Sequence, residues 1–224
     1  MLALFERERI DAILCLGDLV GYGADPVACL EEVTRLASAC VAGNHDHAAT
    51  GLLDDGWFNP FARVAVQWTM RQLSRHHRKT IKALPLITTV EDATLVHSSP
   101  VDPSEWEYLI DREDGIVAFR SFPTRLCFVG HSHLPAVWAE GPDGHDFSRE
   151  TTTVALTPEH RYLINVGSVG QPRDRDPRAS CAIWDTEAQT VEIRRVPYDV
   201  ATAQSKIRTA GLPRVLADRL SHGS

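Results

Sequence analysis

The sequence predicts an α/β protein in which two packed β-sheets are flanked by helices. The first half of the chain alternates short apolar runs with helical patterns, whereas the second half is mostly strand. Four of the apolar runs end in Asp, Asn or His. In open α/β sheets, ligands bind at the carboxyl ends of the strands. This combination is typical of two sheets packed face to face with helices outside them.

Length and composition predict one domain over residues 1–224. A chain of 224 residues is near the upper size for a single hydrophobic core. The residues are 43% hydrophobic and 24% charged, which is ordinary for a globular protein and sufficient for a sizeable core. We find no internal repeat, low-complexity segment or linker, and we expect helices to complete the domain within residues 199–224.

In the first half, an apolar run predicts a buried strand at 12–16, and three glycines predict a loop at 17–23. Asp25 and Pro26 predict a helix start, because Asp is a favoured N-cap and Pro suits the first helical position. The other elements predicted in this half are the end of a helix at 1–9, a strand at 40–42, a loop at 42–47, a helix from Asn59-Pro60 and further helix at 78–84.

The second half is predicted to contain mainly strands. Apolar runs at 86–90 and 93–96 flank Glu91-Asp92, a pattern typical of a hairpin. The other elements predicted in this half are a helix at 111–119, strands at 125–129, 136–140, 151–156, 162–166, 182–185 and 191–196, and terminal helices at 199–209 and 213–220.

Charge and hydropathy exclude several classes of partner. The 23 Lys and Arg against 30 Asp and Glu leave a net charge of −7, with no basic stripe for a nucleic-acid groove. No apolar run approaches the ~20 residues of a membrane span, and charged residues near the start argue against a signal peptide. Five cysteines without a Cys-x-x-Cys spacing indicate a reducing cytoplasm. The oligomeric state stays open.

Side chains that bind metals or transfer protons stand at the ends of four apolar runs. The runs end in Gly17-Asp18, in Gly43-Asn44-His45-Asp46, in His97 and in Gly130-His131-Ser132-His133. If the runs are neighbouring strands, their carboxyl ends bring these side chains to one edge of the sheets.

These residue types suit a centre of two divalent ions that hydrolyses phosphoesters. Such ions lie ~3.5–4 Å apart, activate a water and clamp the phosphoryl group. A carboxylate can bridge the ions, and imidazoles and an amide carbonyl can fill other positions. A further histidine can protonate the leaving oxygen. The candidate ligands are Asp18, Asn44, His97, His131 and His133, and the candidate acid is His45.

The four motifs, in this order, resemble those of the calcineurin-like metallophosphoesterase superfamily. The likeness is greatest to its small bacterial branch of diadenosine-tetraphosphatase-like and phosphodiesterase proteins. It covers almost the whole chain, including the loops at 17–23 and 165–173. The resemblance implies a four-layer αββα sandwich of two mixed β-sheets flanked by helices. It also implies a metal-dependent hydrolase of phosphomonoesters or phosphodiesters, nucleotides among them.

The resemblance assigns the metal ligands. Asp18 would bridge two divalent ions, for which manganese is expected and iron, zinc, nickel or magnesium are alternatives. Asn44, His97 and His131 would complete one metal site, and His133 would serve the other.

The remaining site residues concern the leaving group and the substrate. His45 would protonate the leaving oxygen, and Asp46 would orient His45, as the resemblance implies. Tyr22 and Arg173 are candidates for substrate binding. The guanidinium of Arg173 can bind a phosphate with two hydrogen bonds, or it can pair with an aspartate of its own loop.

One departure from the superfamily concerns the start of the chain. The superfamily begins with a strand ending in Asp-x-His, which supplies two ligands to the ion that His133 serves. No such motif precedes Asp18. We therefore expect the chain to be truncated, for example by a wrongly assigned initiator Met, and to lack that first strand. Since octahedral ions need six donors, it would bind at most about one ion tightly.

Two functional hypotheses follow. The chain is a phosphoesterase, or it is a non-catalytic scaffold on the same fold or an inactive fragment. Loss of catalysis would be expected to remove the acid or the bridging ligand, so the presence of His45 and Asp18 favours the enzyme. Nucleotides, cyclic nucleotides, dinucleoside polyphosphates and phosphoproteins stay open as substrates.

Overall fold

The computed structural model describes residues 1–224 as eight α-helices and eleven β-strands. The helices are α1 (Leu2–Glu8), α2 (Pro26–Leu36), α3 (Asn44–Thr50), α4 (Pro60–Gln72), α5 (Arg75–Lys82), α6 (Arg112–Ala118), α7 (Val200–Thr209) and α8 (Arg214–Asp218). The strands are β1 (Ile13–Cys15), β2 (Ala37–Cys40), β3 (Ile87–Val90), β4 (Ala93–Val96), β5 (Leu126–Val129), β6 (Ala136–Gly141), β7 (Gly144–Ser148), β8 (Thr153–Ala155), β9 (Arg161–Asn165), β10 (Ala179–Asp185) and β11 (Thr190–Val196). Two 3-10 helices span Asp55–Trp57 and Arg219–Ser221.

The largest sheet has six strands in the order β3-β4-β5-β9-β6-β7. Its strands β4, β5 and β9 are parallel, and the strands on either side of them are antiparallel. Strands β4 and β5 are buried at every position, as expected of parallel strands that are covered on both faces. Their carboxyl ends meet at one edge of the sheet, where His97 and Gly130 follow.

A second layer of strands packs against one face of this sheet. It consists of the parallel pair β1-β2 and the antiparallel three-stranded sheet β10-β11-β8. Leu95 and Ile164 of the large sheet share a core with Val191 and Ile193 of β11 and with Leu14 of β1. The side chains of this layer therefore pack in one core. Its strands form two separate hydrogen-bonded groups, although a single second sheet was expected.

Helices cover both outer faces. On the free face of the six-stranded sheet, Ala118 of α6 packs in a core with Trp138. Over the pair β1-β2, Leu30 of α2 and Ile81 of α5 pack with Cys15, and α7 and α8 pack beside α4. The four layers confirm the αββα prediction.

In this chain, no helix combines the length and the hydropathy that a membrane crossing requires.

The segment around β2 differs from the prediction. Strand β2 is Ala37–Cys40 rather than 40–42, and the predicted loop at 42–47 is largely the first turn of α3. Gly43 is the extended N-cap of that helix, and the Asp46 carboxylate accepts a hydrogen bond from the Gly43 backbone N–H at 2.9 Å. This bond, from the N-cap backbone to the carboxylate three residues later, is one half of a capping box and is typical of a helix start.

Two further elements also depart from the prediction. The strand β7 was not predicted, because Phe147 is its one apolar side chain and a single apolar residue gives no periodic pattern. The helical stretch predicted at 78–84 begins earlier, at Arg75, because Ser74 caps α5 and its hydroxyl accepts a hydrogen bond from His77 N–H at 3.2 Å.

Helix α6 and strand β6 lie in close contact. A Cβ atom added to Gly115 would overlap the Trp138 indole. Trp138 is only 1% exposed, and its Nε1 donates to the backbone carbonyl of Asp111, the N-cap of α6, at 2.6 Å. The absence of a side chain at Gly115 therefore allows the helix to pack directly on the ring.

Substituting Gly115 by Ala should destabilise the fold, even though Ala is the better helix former by ~1 kcal/mol. The added methyl must displace a buried ring, and overpacking of this kind costs ~1–3 kcal/mol. Urea unfolding should show a lower midpoint for Gly115→Ala than for Val117→Ala, whose site on the same helix is 50% exposed. Equal midpoints for the two variants would mean that α6 can move away from β6 at no cost.

Candidate metal centre

Asp18 lies where the loop after β1 touches the segment that precedes α3. A Cβ atom on Gly17 would lie 2.6 Å from Gly43 N, and a Cβ atom on Gly43 would overlap the Asp18 carboxylate. Gly17 has φ +85° and Asp18 has φ +52°. The left-handed region costs a non-glycine residue ~1–2 kcal/mol, so Asp18 is held there by its surroundings. The two glycines thus place Asp18 against the start of α3.

Hydrogen bonds tie the first turn of α3 to the loop after β1. The backbone N–H of His45 donates to Asp18 Oδ1 at 3.0 Å. The Asp46 carboxylate accepts from the backbone N–H of Gly43 at 2.9 Å and of Val20 at 3.2 Å. Both Asp46 oxygens therefore accept from the backbone, and no hydrogen bond joins the Asp46 carboxylate to the His45 ring. The orientation of His45 by Asp46 stays a prediction. Asp46 joins the two segments that form the site.

His97 follows β4 and faces Asp18. Its Nδ1 lies 2.6 Å from the carbonyl oxygen of Leu16, which can only accept, so Nδ1 carries the hydrogen. Its Nε2 lies 3.3 Å from Asp18 Oδ2. A ring held through one N–H by a backbone carbonyl is the usual arrangement of a metal-binding histidine.

His131 and His133 follow β5, and both have positive φ angles of 61° and 62°. His131 Nε2 donates to the carbonyl oxygen of Trp106 at 2.8 Å, and its Nδ1 lies 3.2 Å from His97 Nε2. His133 Nδ1 donates to the carbonyl oxygen of Gln171 at 2.6 Å. Each ring therefore has one nitrogen fixed by the backbone, and its other nitrogen can serve as a ligand.

The site combines one ionised carboxylate with mostly neutral imidazoles. Burial raises the pKa of Asp18, but the charges of His97 and His45 outweigh burial, and the pKa lies well below its usual range. Burial also lowers the pKa of His131 and of His133, each to about 3. For His97, burial lowers the pKa, but Asp18 outweighs it and the net shift is upward. Neutral imidazole is the form that binds metal ions.

His45 is packed between aromatic rings. Its ring centroid lies 4.4 Å from that of Tyr22 and 4.8 Å from that of Phe58. Burial lowers the pKa of His45 to about 4, against the opposing charge of Asp18. His45 Nδ1 is buried without a hydrogen-bond partner. The ring is thus neutral, and one of its nitrogens is not used within the protein.

The donor set fits divalent metal ions. Asn44 Oδ1 is buried without a hydrogen-bond partner, which is costly unless a ligand binds it. Two ligands at ~2.1 Å from one ion lie ~3.0–3.4 Å apart, and the Asp18–His97 and His97–His131 separations are 3.3 and 3.2 Å. No three His, Cys, Asp or Glu side chains form a closed ligand set. The case for a metal site therefore rests on the Asp18–His97 and His97–His131 separations and on the unpartnered Asn44 oxygen.

Tyr22 and Arg173 lie together beside the metal ligands. Arg173 Nη2 donates to the Tyr22 hydroxyl at 3.0 Å, and the Tyr22 ring centroid is 6.4 Å from that of His133. Asp174 and Asp176 pair with other arginines of the chain. The alternative in which Arg173 pairs with its own loop is therefore wrong, and its guanidinium faces the site.

Besides Leu16 and Phe58, four residues beside the site were not among the predicted site residues. The carbonyls of Trp106 and Gln171 orient histidines, the Tyr108 ring stacks on His131 at 4.1 Å, and the guanidinium of Arg219 lies over the Tyr22 ring. The resemblance at 165–173 pointed to the loop of Gln171 but not to this contact. No local pattern marks the other three, because long-range packing brings them to the site.

Comparison with known proteins finds a matching family model and similar proteins that cover nearly the whole chain. Residues 1–189 match the family model of the calcineurin-like phosphoesterase superfamily domain. An uncharacterized protein of Methanocaldococcus jannaschii is 38% identical over 223 residues, which cover 97% of this chain and 89% of that protein. The crystal structure of a metallophosphoesterase from Sphaerobacter thermophilus is 41% identical, with a TM-score of 0.85, and the match covers 99% of this chain and 92% of that chain.

A more distant crystal structure shares the fold alone. It is a hypothetical protein from Pyrococcus horikoshii OT3, 18% identical, with a TM-score of 0.77 over 100% of this chain and 90% of that chain.

Substituting Gly43 by Ala should weaken metal binding, because its Cβ would displace the Asp18 carboxylate. Changes to residues that only support metal ligands cost ~10–100-fold in affinity, and we expect a loss of at least ~10-fold for Mn²⁺ in calorimetric titration. Gly23→Ala is the control, because a Cβ there meets nothing within 4 Å. Unchanged Mn²⁺ affinity in Gly43→Ala would exclude Asp18 as a ligand held in this position.

Proposed function

This chain belongs to the calcineurin-like phosphoesterase superfamily, and on that premise we propose that it hydrolyses phosphomonoesters or phosphodiesters with the aid of divalent metal ions. Two observations carry the proposal: the linked side chains of Asp18, His97 and His131, and the buried, unpartnered oxygen of Asn44, the residue before the His45 N–H that donates to Asp18. Carboxylate, amide oxygen and imidazole together form a donor set for a hydrolytic metal centre.

The proposed ligands divide between two ions. Asp18, Asn44, His97 and His131 would hold one ion, and His133 with the shared Asp18 would contribute to the second. Manganese suits the mixture of oxygen and imidazole donors, with iron, zinc, nickel or magnesium as alternatives. Bound divalent ions in such a centre supply an activated water and neutralise phosphoryl charge.

The proposed role of His45 is to hold and transfer the proton of the leaving oxygen. Its Nδ1 has no hydrogen-bond partner within the protein. Burial keeps the ring neutral in the protein alone, and the negative charge of a bound phosphoryl group would raise its pKa and favour the protonated form. Tyr22 and Phe58 pack on the ring and restrict its orientation.

A non-catalytic scaffold on the same fold is the second candidate. The observation that favours it is the small number of ligands for the second ion, for which residues 1–224 provide only His133 and the shared Asp18.

The five cysteines are all free, and this supports the cytoplasm as the proposed location. The proposed substrate is a phosphorylated small molecule, with nucleotides included.

Removing the central carboxylate should abolish both metal binding and hydrolysis. We expect Asp18→Asn to lose Mn²⁺ affinity by at least ~10-fold and to lose Mn²⁺-dependent hydrolysis of p-nitrophenyl phosphate and bis-p-nitrophenyl phosphate. His76→Ala, at an exposed histidine of α5, should match the wild type in both measurements. Wild-type protein that binds Mn²⁺ through Asp18 but hydrolyses neither ester would support the scaffold instead.

His45→Ala should lower turnover most for esters with poor leaving groups. General-acid catalysis contributes ~10²–10⁴-fold, and a p-nitrophenolate needs this help far less than an alkoxide does. The measurement is kcat for p-nitrophenyl and alkyl phosphate esters at a saturating Mn²⁺ concentration, with metal content determined in parallel. An equal loss for both esters would count against the acid role.

A further inference from the structure

Arg219 enters the site from the carboxyl-terminal end of the chain. It begins the 3-10 helix Arg219–Ser221, which packs with α7 and α8. Its guanidinium carbon lies 4.5 Å from the centroid of the Tyr22 ring, on which it stacks. Residue 219 lies beyond residues 1–189, which match the family model. The contact therefore involves a residue outside the region that matches the family model.

A second guanidinium contacts the same tyrosine. Arg173 donates to the Tyr22 hydroxyl at 3.0 Å, and its guanidinium carbon lies 5.6 Å from the ring centroid. Burial lowers the pKa of Arg219, and the positive charge of Arg173 acts in the same direction. Two like charges around one ring repel each other unless an anion lies between or beside them.

Neither guanidinium is neutralised by a carboxylate. Arg178, Arg195 and Arg208 each pair with an aspartate, whereas Arg173 and Arg219 form no ion pair. Arg219 donates to the side-chain oxygen of Gln171, and its Nε is buried without a partner. The pair therefore retains positive charge and unused donors.

The pair adjoins the candidate metal centre. Tyr22 lies 4.4 Å from His45 and 6.4 Å from His133 between ring centroids. Gln171 links the two regions, because its carbonyl accepts from His133 Nδ1 and its side chain accepts from Arg219. A group bound by the two arginines would lie directly beside a phosphoryl group held at the centre.

We propose that Arg219, Arg173 and Tyr22 bind a second phosphate of the substrate, next to the phosphoryl group that is cleaved. The preferred substrates are then molecules with a diphosphate or longer phosphate chain rather than simple monoesters. A planar guanidinium binds phosphate oxygens with two parallel hydrogen bonds, and the two arginines match the extra negative charge of a second phosphate. This inference rests on the proposed function, since it names the substrate class of the same site.

The binding test compares inorganic pyrophosphate with orthophosphate in calorimetric titrations of the full chain in metal-free buffer. Wild type should bind pyrophosphate more tightly than orthophosphate. Arg219→Gln should lose ~10-fold in pyrophosphate affinity and less than ~2-fold in orthophosphate affinity. Arg214→Ala, an exposed arginine of α8 without an ion pair, should bind both anions as wild type does. Wild type that binds neither anion, or both equally, overturns the inference.

A second variant, Arg219→Lys, distinguishes the positive charge of Arg219 from the planar geometry of its guanidinium. It also provides a test if thermal melting shows that Arg219→Gln does not fold. Lysine keeps the positive charge but cannot donate two parallel hydrogen bonds to one phosphate. The pyrophosphate affinity of Arg219→Lys should therefore fall between those of wild type and Arg219→Gln. If Arg219→Gln does not fold, a loss of pyrophosphate affinity but not of orthophosphate affinity in Arg219→Lys supports the inference, and unchanged affinities overturn the two-hydrogen-bond recognition on which it rests.

Kinetics distinguish this inference from the proposed function. With Mn²⁺, Arg219→Gln should lower kcat/KM for a nucleoside diphosphate ~10-fold more than kcat/KM for p-nitrophenyl phosphate. Hydrolysis of both substrates with no effect of Arg219→Gln overturns the diphosphate pocket and leaves the phosphoesterase intact. Arg219-dependent pyrophosphate binding without hydrolysis of any ester supports the pocket and overturns the enzyme.

Discussion

The half-buried carboxylate of Asp18 is the group on whose contacts the rest of the site depends. It accepts the His45 backbone N–H and contacts His97 Nε2, so it joins the loop after β1, the start of α3 and the end of β4. This convergence requires the backbones at Gly17 and Gly43 to touch. A side chain at either position would separate the loops, and the carboxylate would lose its partners.

A second carboxylate only 28 residues away in the chain has a different environment and a different task. Burial and the charge of Asp18 raise the pKa of Asp46 to about 7, against the backbone N–H groups that it accepts from. Asp18 meets imidazoles, whereas Asp46 meets the backbone amides of Gly43 and Val20. The partners thus make one carboxylate a candidate ligand and the other a connection between two segments.

Backbone carbonyls orient the three imidazoles of the site. Leu16 holds His97, Trp106 holds His131 and Gln171 holds His133. These carbonyls come from three separate loops, and each fixes one ring nitrogen while the other remains available. The carboxyl-terminal residues extend the same arrangement, since the Gln171 side chain accepts from Arg219.

The sequence by itself determined the αββα architecture and the four strand-end motifs, because apolar runs, glycines and polar termini are local patterns. It also predicted one site for Asp18, His97 and His131, whose side chains lie in contact in the structure. Only the tertiary structure decided that the Asn44 segment is helical, that Asp46 binds the backbone rather than His45, and that Arg219 reaches Tyr22. The bond from Val20 to Asp46 and the contact of Arg219 with Tyr22 join distant segments, and periodicity along one stretch of chain carries no information about them. The start of the helix depends on a local hydrogen bond that a pattern of apolar residues does not show.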